Sequence, residues 1–86
     1  MKSNSQGNWC IFYNKVGEHN YHTMKLYRSD GILVSAKTYD EVFKFTRYKD
    51  AWNFAKELVT AEPPKYNAVV KRVCRARNEA FYLSGN

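Results

Sequence analysis

The chain has no apolar run long enough to span a bilayer, no internal repeat and no low-complexity tract. Its start, Met1 to Asn8, is polar and lacks the apolar stretch of a secretory signal. These absences predict a cytoplasmic location and argue against a membrane partner. Motifs that carry common chemistries are missing as well: there is no Gly-rich phosphate loop, no nucleophile elbow and no His-Glu-x-x-His pair. Cysteine is scarce. Cys10 and Cys74 are far apart, and with them only His19 and His22 stand close enough to resemble a ligand pair, whereas zinc sites show tight Cys or His pairs on both sides. No metal and no other cofactor is expected, and the two thiols read as reduced and packed. Glu18-His19, or His22 with Tyr27 and Arg28, could supply acid–base groups, but such groups must converge on one pocket, and nothing in their spacing requires it. The chain reads as non-enzymatic.

What the chain does have is aromatic side chains and positive charge. Seven Tyr, five Phe and two Trp make up 16% of 86 residues, enough both to fill a small core and to furnish a recognition surface. The net charge is +6, and it is concentrated toward the end: Met1 to Pro64 carries a balance of +2, Lys65 to Asn86 a balance of +4. A field of this sign favours anionic partners, either nucleic acid or an acidic protein surface.

The length bounds one domain. Residues 1–7 read as a disordered polar arm and 8–86 as a single α+β domain. Trp9 to Tyr13 reads as a strand from its aromatic and β-branched content, and His22 to Arg28 alternates like a second. Asp30-Gly31 marks a hairpin turn, Ile32 to Tyr39 the returning strand, and Val42 to Phe45 a short fourth run. Thr46 suits a helix N-cap. Ala51, Phe54, Ala55, Leu58 and Val59 then recur at helical spacing, with Trp52 at the edge of the stripe, until Glu62-Pro63-Pro64 stops the helix. From Tyr66 to Leu83 the apolar residues fall on one arc of a helical wheel, with Lys71, Arg72 and Arg75 opposite, which favours a second helix. The alternative is a strand from Tyr66 to Cys74 with a short return through Phe81 to Leu83. The expected architecture is a three- to four-stranded antiparallel meander with one or two helices packed on one face.

Strand parity supplies the candidate site. If Ile11, Met24, Leu26, Ile32, Val34 and Ala36 face the helices, then Phe12, Lys25, Tyr27, Lys37 and Tyr39 stand on the other face. Rings there could stack unpaired bases while ammonium groups neutralise phosphates. Lys71, Arg72, Arg75 and Arg77 add a basic C-terminal segment suited to phosphate or carboxylate. Several strands followed by a helix resembles, at the level of topology, the single-strand-binding domains of the Pur-alpha type. The compact aromatic-rich look is also similar to short accessory proteins of phages and mobile elements, which implies an inhibitor or regulator of a host nuclease, polymerase or defence complex. The first expectation is single-stranded nucleic-acid binding through these nine residues, with an acidic host protein as the alternative partner. Homodimerisation through an uncovered face or edge stays open.

Overall fold

The computed structural model describes residues 7–84. Five strands, β1 (Trp9–Lys15), β2 (His22–Tyr27), β3 (Leu33–Ser35), β4 (Tyr66–Arg75) and β5 (Phe81–Ser84), form one antiparallel sheet in the order β3-β2-β1-β4-β5. One helix, α1 (Tyr48–Thr60), covers a face of it. Among the described residues no helix is long and apolar enough to cross a membrane. The expected polar arm lies outside the described residues except for Gly7, whose N–H donates to the Thr46 carbonyl at 3.1 Å.

The Asp30-Gly31 turn forms as its chemistry dictates. Gly31 takes φ 86°, where a Cβ would be strained, Arg28 donates to the Ile32 carbonyl at 2.8 Å, and Asp30 Oδ1 accepts from the Ile32 N–H at 3.2 Å. The helix also follows its stripe: Ala51, Ala55 and Leu58 are buried against Ile11, Tyr13, Met24, Leu33, Tyr66 and Val70. It ends at Thr60, ahead of the prolines. The capping position is Arg47, not Thr46, and carries no side-chain cap. The Thr46 carbonyl is instead tied to Gly7, because the chain there is still crossing the end of β1.

The segment Tyr66–Leu83 is the main departure from expectation. It is the strand β4 and the returning strand β5, not a second helix, and so the sheet has five strands. The helical spacing has a physical origin. β4 is covered on both faces: Tyr66 and Val70 pack under α1, while Val73, 1% exposed, packs on the reverse with Cys10 and Val42. A strand buried on two sides bears apolar residues on both, and their mixed spacing imitates a wheel. Lys71 and Arg72 do take opposite faces. Arg72 avoids the core because it lies opposite Trp9, near the start of α1, and lies over that ring at 4.9 Å.

A second departure sits in β2. Its register with β3 shifts between Met24 and Leu26, leaving Lys25 as an extra residue. Tyr27 is therefore paired with Leu33 on the helix side, and the parity expected for Leu26, Ile32, Val34 and Ala36 fails. Ile11 and Met24 face the helix as expected, and Ala36 packs on the reverse cluster. The returning strand is shorter than expected, Leu33–Ser35, and the fourth run reduces to a bridge between Phe45 and Trp9. Residues 36–45 cross beneath the sheet, held by Ala36 N–H to Thr23 O and Phe43 N–H to Met24 O. The Tyr66 hydroxyl, accepting from the Leu33 N–H at 3.2 Å, ties β4 to β3 through the core.

Ile11 is fully buried at the centre of this packing. Ile11→Ala is expected to destabilise the fold by about 2–5 kcal/mol, measured as a shift in the urea midpoint at unchanged slope.

Candidate binding surface

The residues expected to share one open face are dispersed. Phe12 is on the reverse face, half-buried and stacked on Tyr21 at 5.0 Å. Lys25 is exposed, and its charge, after the Lys37 N–H, helps hold the Glu41 carboxyl below the usual carboxylate range. Lys37 is exposed in the crossing loop and donates its N–H to Glu41 Oε1 at 2.8 Å. Tyr27 went to the helix side with the bulge, where its ring meets Phe54 edge-on at 5.5 Å. Tyr39 lies outside any strand, in the short 3-10 turn Tyr39–Glu41. Two of the chain's own cations already rest on its ring, Lys44 at 4.3 Å and Arg75 at 4.7 Å, and Arg75 also pairs with Asp40 at 3.1 Å. Arg77 stands at the β4–β5 turn. The expected stacking platform is therefore not assembled, because a bulge and a crossing loop, neither of them written in local alternation, set the parity.

The structure assembles a different site from residues of α1 and β4. Tyr48, Trp52 and Lys56 are spaced four apart and so share one flank of the helix, continued by Val59. That flank faces Ala68–Val70 of β4 across an open groove of about 250 Å³. Trp52 is 45% exposed there, with the Lys56 ammonium 5.2 Å from its ring centre. Near the start of the helix, Trp9 meets Tyr48 edge-on at 5.0 Å beneath Arg72. Trp9 Nε1 is buried without a hydrogen-bond partner, sealed by Gly7, where any Cβ would run into the indole. A second groove, about 360 Å³ and lined by Met24, Leu26, Tyr27, Phe43, Phe45 and Phe54, bears no charged side chain.

The groove borders the outer side of β4. β1 pairs with β4 from Tyr66 to Arg72, but β5 covers the outer side only from Arg72 to Arg75. Among the described residues no strand pairs with Tyr66–Lys71 on that side. The Lys65 carbonyl accepts from Val16, and the Val73 N–H donates to Asn8, so the odd-numbered groups turn toward β1. The backbone groups of Tyr66, Ala68 and Val70 then point outward. Lys56, Lys65, Lys71 and Arg72 flank this edge, and the ion pairs among the described residues, Arg28–Asp30 and Arg75–Asp40, do not include them.

No family model, curated protein or solved structure matches this chain.

The expected basic segment contributes Lys71 and Arg72 to this edge, while Arg75 and Arg77 lie beyond it. Sequence reasoning missed the groove between α1 and β4, because it depends on Tyr66–Arg75 lying as a strand beneath the helix. The spacing of Tyr48, Trp52 and Lys56 was the one signal available. His19 and His22 are exposed about the β1–β2 connection, and no three His, Cys, Asp or Glu side chains among the described residues converge as metal ligands.

Cys10 and Cys74 are free thiols. Cys10 is fully buried, and its thiol is pushed up from 9.0 to about 12, first by burial and further by Cys74, with Lys44 partly opposing. The folded state thus keeps a proton that the unfolded state releases, and this contribution to stability is present below pH 9 and is lost as pH climbs toward about 12. Alkylation of the native protein at pH 8 is expected to spare Cys10 and to modify it fully after unfolding, as read by peptide mass spectrometry.

Proposed function

We propose that this chain is a small basic binding module without catalytic activity, and that it recognises a protein partner bearing negative charge. The observation that carries this reading is the exposed Trp52 at the wall of the groove between α1 and β4. A tryptophan held in water at the wall of an apolar groove is the residue type that most often dominates protein interfaces. Lys56, Lys65, Lys71 and Arg72 around it raise the local concentration of acidic surfaces and disfavour basic ones. A module of this kind would act as an inhibitor or regulator by occupying part of its partner.

Single-stranded nucleic acid is the second reading, favoured by the pairing of Arg72 with Trp9 and of Lys56 with Trp52. Ring and cation side by side are what a stacked base and its phosphate would need.

The two readings separate in one set of measurements. The tagged chain is expected to retain a discrete protein from nuclease-treated lysate of its native cell, at an affinity that Trp52→Ala lowers by about 2 kcal/mol, roughly thirtyfold. The urea midpoint of that variant should stay near the parent's, since the ring is half in solvent. A labelled single-stranded oligonucleotide that binds in about 50 mM salt and is shed by about 200 mM would establish the second reading instead.

A further inference from the structure

Resting on the protein-binding reading, we infer that the partner presents a short amphipathic helix with acidic flanks, and that this helix lies alongside α1 in the groove against β4. Tyr48, Trp52 and Val59 bound the groove on α1 and Val69 on β4, and all four are between 39% and 45% exposed. From Tyr48 to Val59 the apolar flank extends about 16 Å along the helix axis, or about three turns. A partner helix matches that length by setting one apolar side chain per turn, at positions i, i+4 and i+7.

The layering of the fold leaves room for it. At about 4.8 Å between neighbours, the five strands span about 19 Å from β3 to β5, and one helix about 10 Å across covers roughly half of that width. α1 sits on Ile11, Met24, Tyr66 and Val70. On the same face of the sheet, Tyr82 of β5, opposite Cys74, stays 58% exposed. A helix laid beside α1 packs its apolar side chains into the flank of Tyr48, Trp52 and Val59 and extends the layer toward β5.

Charge selects the occupant. Lys56 and Lys49 stand about 40° and 60° round the helix from Trp52, on the side away from the buried Ala51 and Leu58, whereas the acids Glu57 and Asp50 lie about 140° and 160° away. Lys65 precedes β4, and Lys71 and Arg72 lie within it. The apolar centre is thus bordered by positive charge from both elements. A helix with leucine-like residues along its centre and glutamate or aspartate on each flank is its complement. A second copy of the chain is the rival occupant, and charge argues against it. The helix it would offer is α1, whose exposed stripe is flanked by lysine, and two chains of +6 would meet.

The probe is a displayed library of random peptides of about sixteen residues, long enough to form a helix, selected on the full chain. Binders that the Trp52→Ala variant also retains are discarded. The enriched peptides are expected to repeat apolar residues at i, i+4 and i+7 with acids between them. The best of these, synthesised with a fluorescent label, should bind in an anisotropy titration and gain helical circular dichroism as it does. Proline at its centre should weaken it about tenfold or more. Lys56→Glu should weaken it as well, and improve binding of a peptide whose flanking acids are replaced by lysine. Trp52-dependent peptides that alternate in apolar residues, or that tolerate the central proline, would overturn the helix and leave the groove as a protein site. Enrichment of basic peptides would overturn the charge complementarity. A library that yields no Trp52-dependent peptide would overturn the proposal, and capture of the oligonucleotide in the same preparation would overturn the protein-binding reading with it. A dimer in light scattering that Trp52→Ala dissolves would assign the groove to a second copy and sink the proposal.

Discussion

The ladder between β1 and β4 is the constraint on which the molecule depends. Seven pairs, from Trp9 with Arg72 to Lys15 with Tyr66, join segments more than fifty residues apart. α1 can bury Ala51, Ala55 and Leu58 only because Ile11 and Val70 stand side by side in that ladder. The reverse-face cluster needs it equally, since Cys10 of β1 and Val73 of β4 meet there under Val42. A non-local pairing of this kind costs loop-closure entropy before any contact compensates, and dense burial on both faces is what offsets it.

The same ladder sets how β4 meets its other neighbours. β1 is long enough to pair with β4 through Arg72, whereas β5 is a four-residue strand that begins only after the Arg77–Glu79 turn. The turn itself uses φ near 60° at Asn78 and Glu79, a tight reversal that brings Phe81 back onto Arg75. β5 thereby covers the outer side of β4 from Arg72 to Arg75. The flank of α1 that carries Tyr48 and Trp52 lies over the earlier part of β4, at Ala68–Val70. A cation–aromatic cluster of different character, Lys44 and Arg75 on Tyr39 with Asp40 beside it, closes the reverse face, where the groups satisfy one another and stiffen the crossing loop.

Composition alone could not tell these two clusters apart. Tyr39 and Trp52 are both aromatic residues with a cation at hand, and both suit a recognition surface on paper. Tyr39 is held by Asn8, Lys44 and Arg75 from three separate segments, and so it serves the fold. Trp52 carries a lysine from one helical turn away on its ring and keeps nearly half its surface in water. Tyr27 shows the same limit from the other side. Its exposure was expected correctly, at 49%, but its face was not, because one extra residue at Lys25 inverts everything downstream of it in the strand.

Features governed by neighbours in the chain were legible from the residues themselves: the strand at Trp9, the Asp30-Gly31 turn, the helical stripe from Ala51 to Val59, its end before Pro63, and the gathering of positive charge after Lys65. Turn chemistry, propensity and period are local, and they act the same way in any fold. Only the tertiary structure decided that Tyr66–Arg75 is a strand, that β2 bulges, and that Trp52 stands over a groove against β4. Those outcomes depend on which surfaces meet across the sheet. A strand buried on both faces carries the same residues as an amphipathic helix, and only packing on its two sides tells them apart.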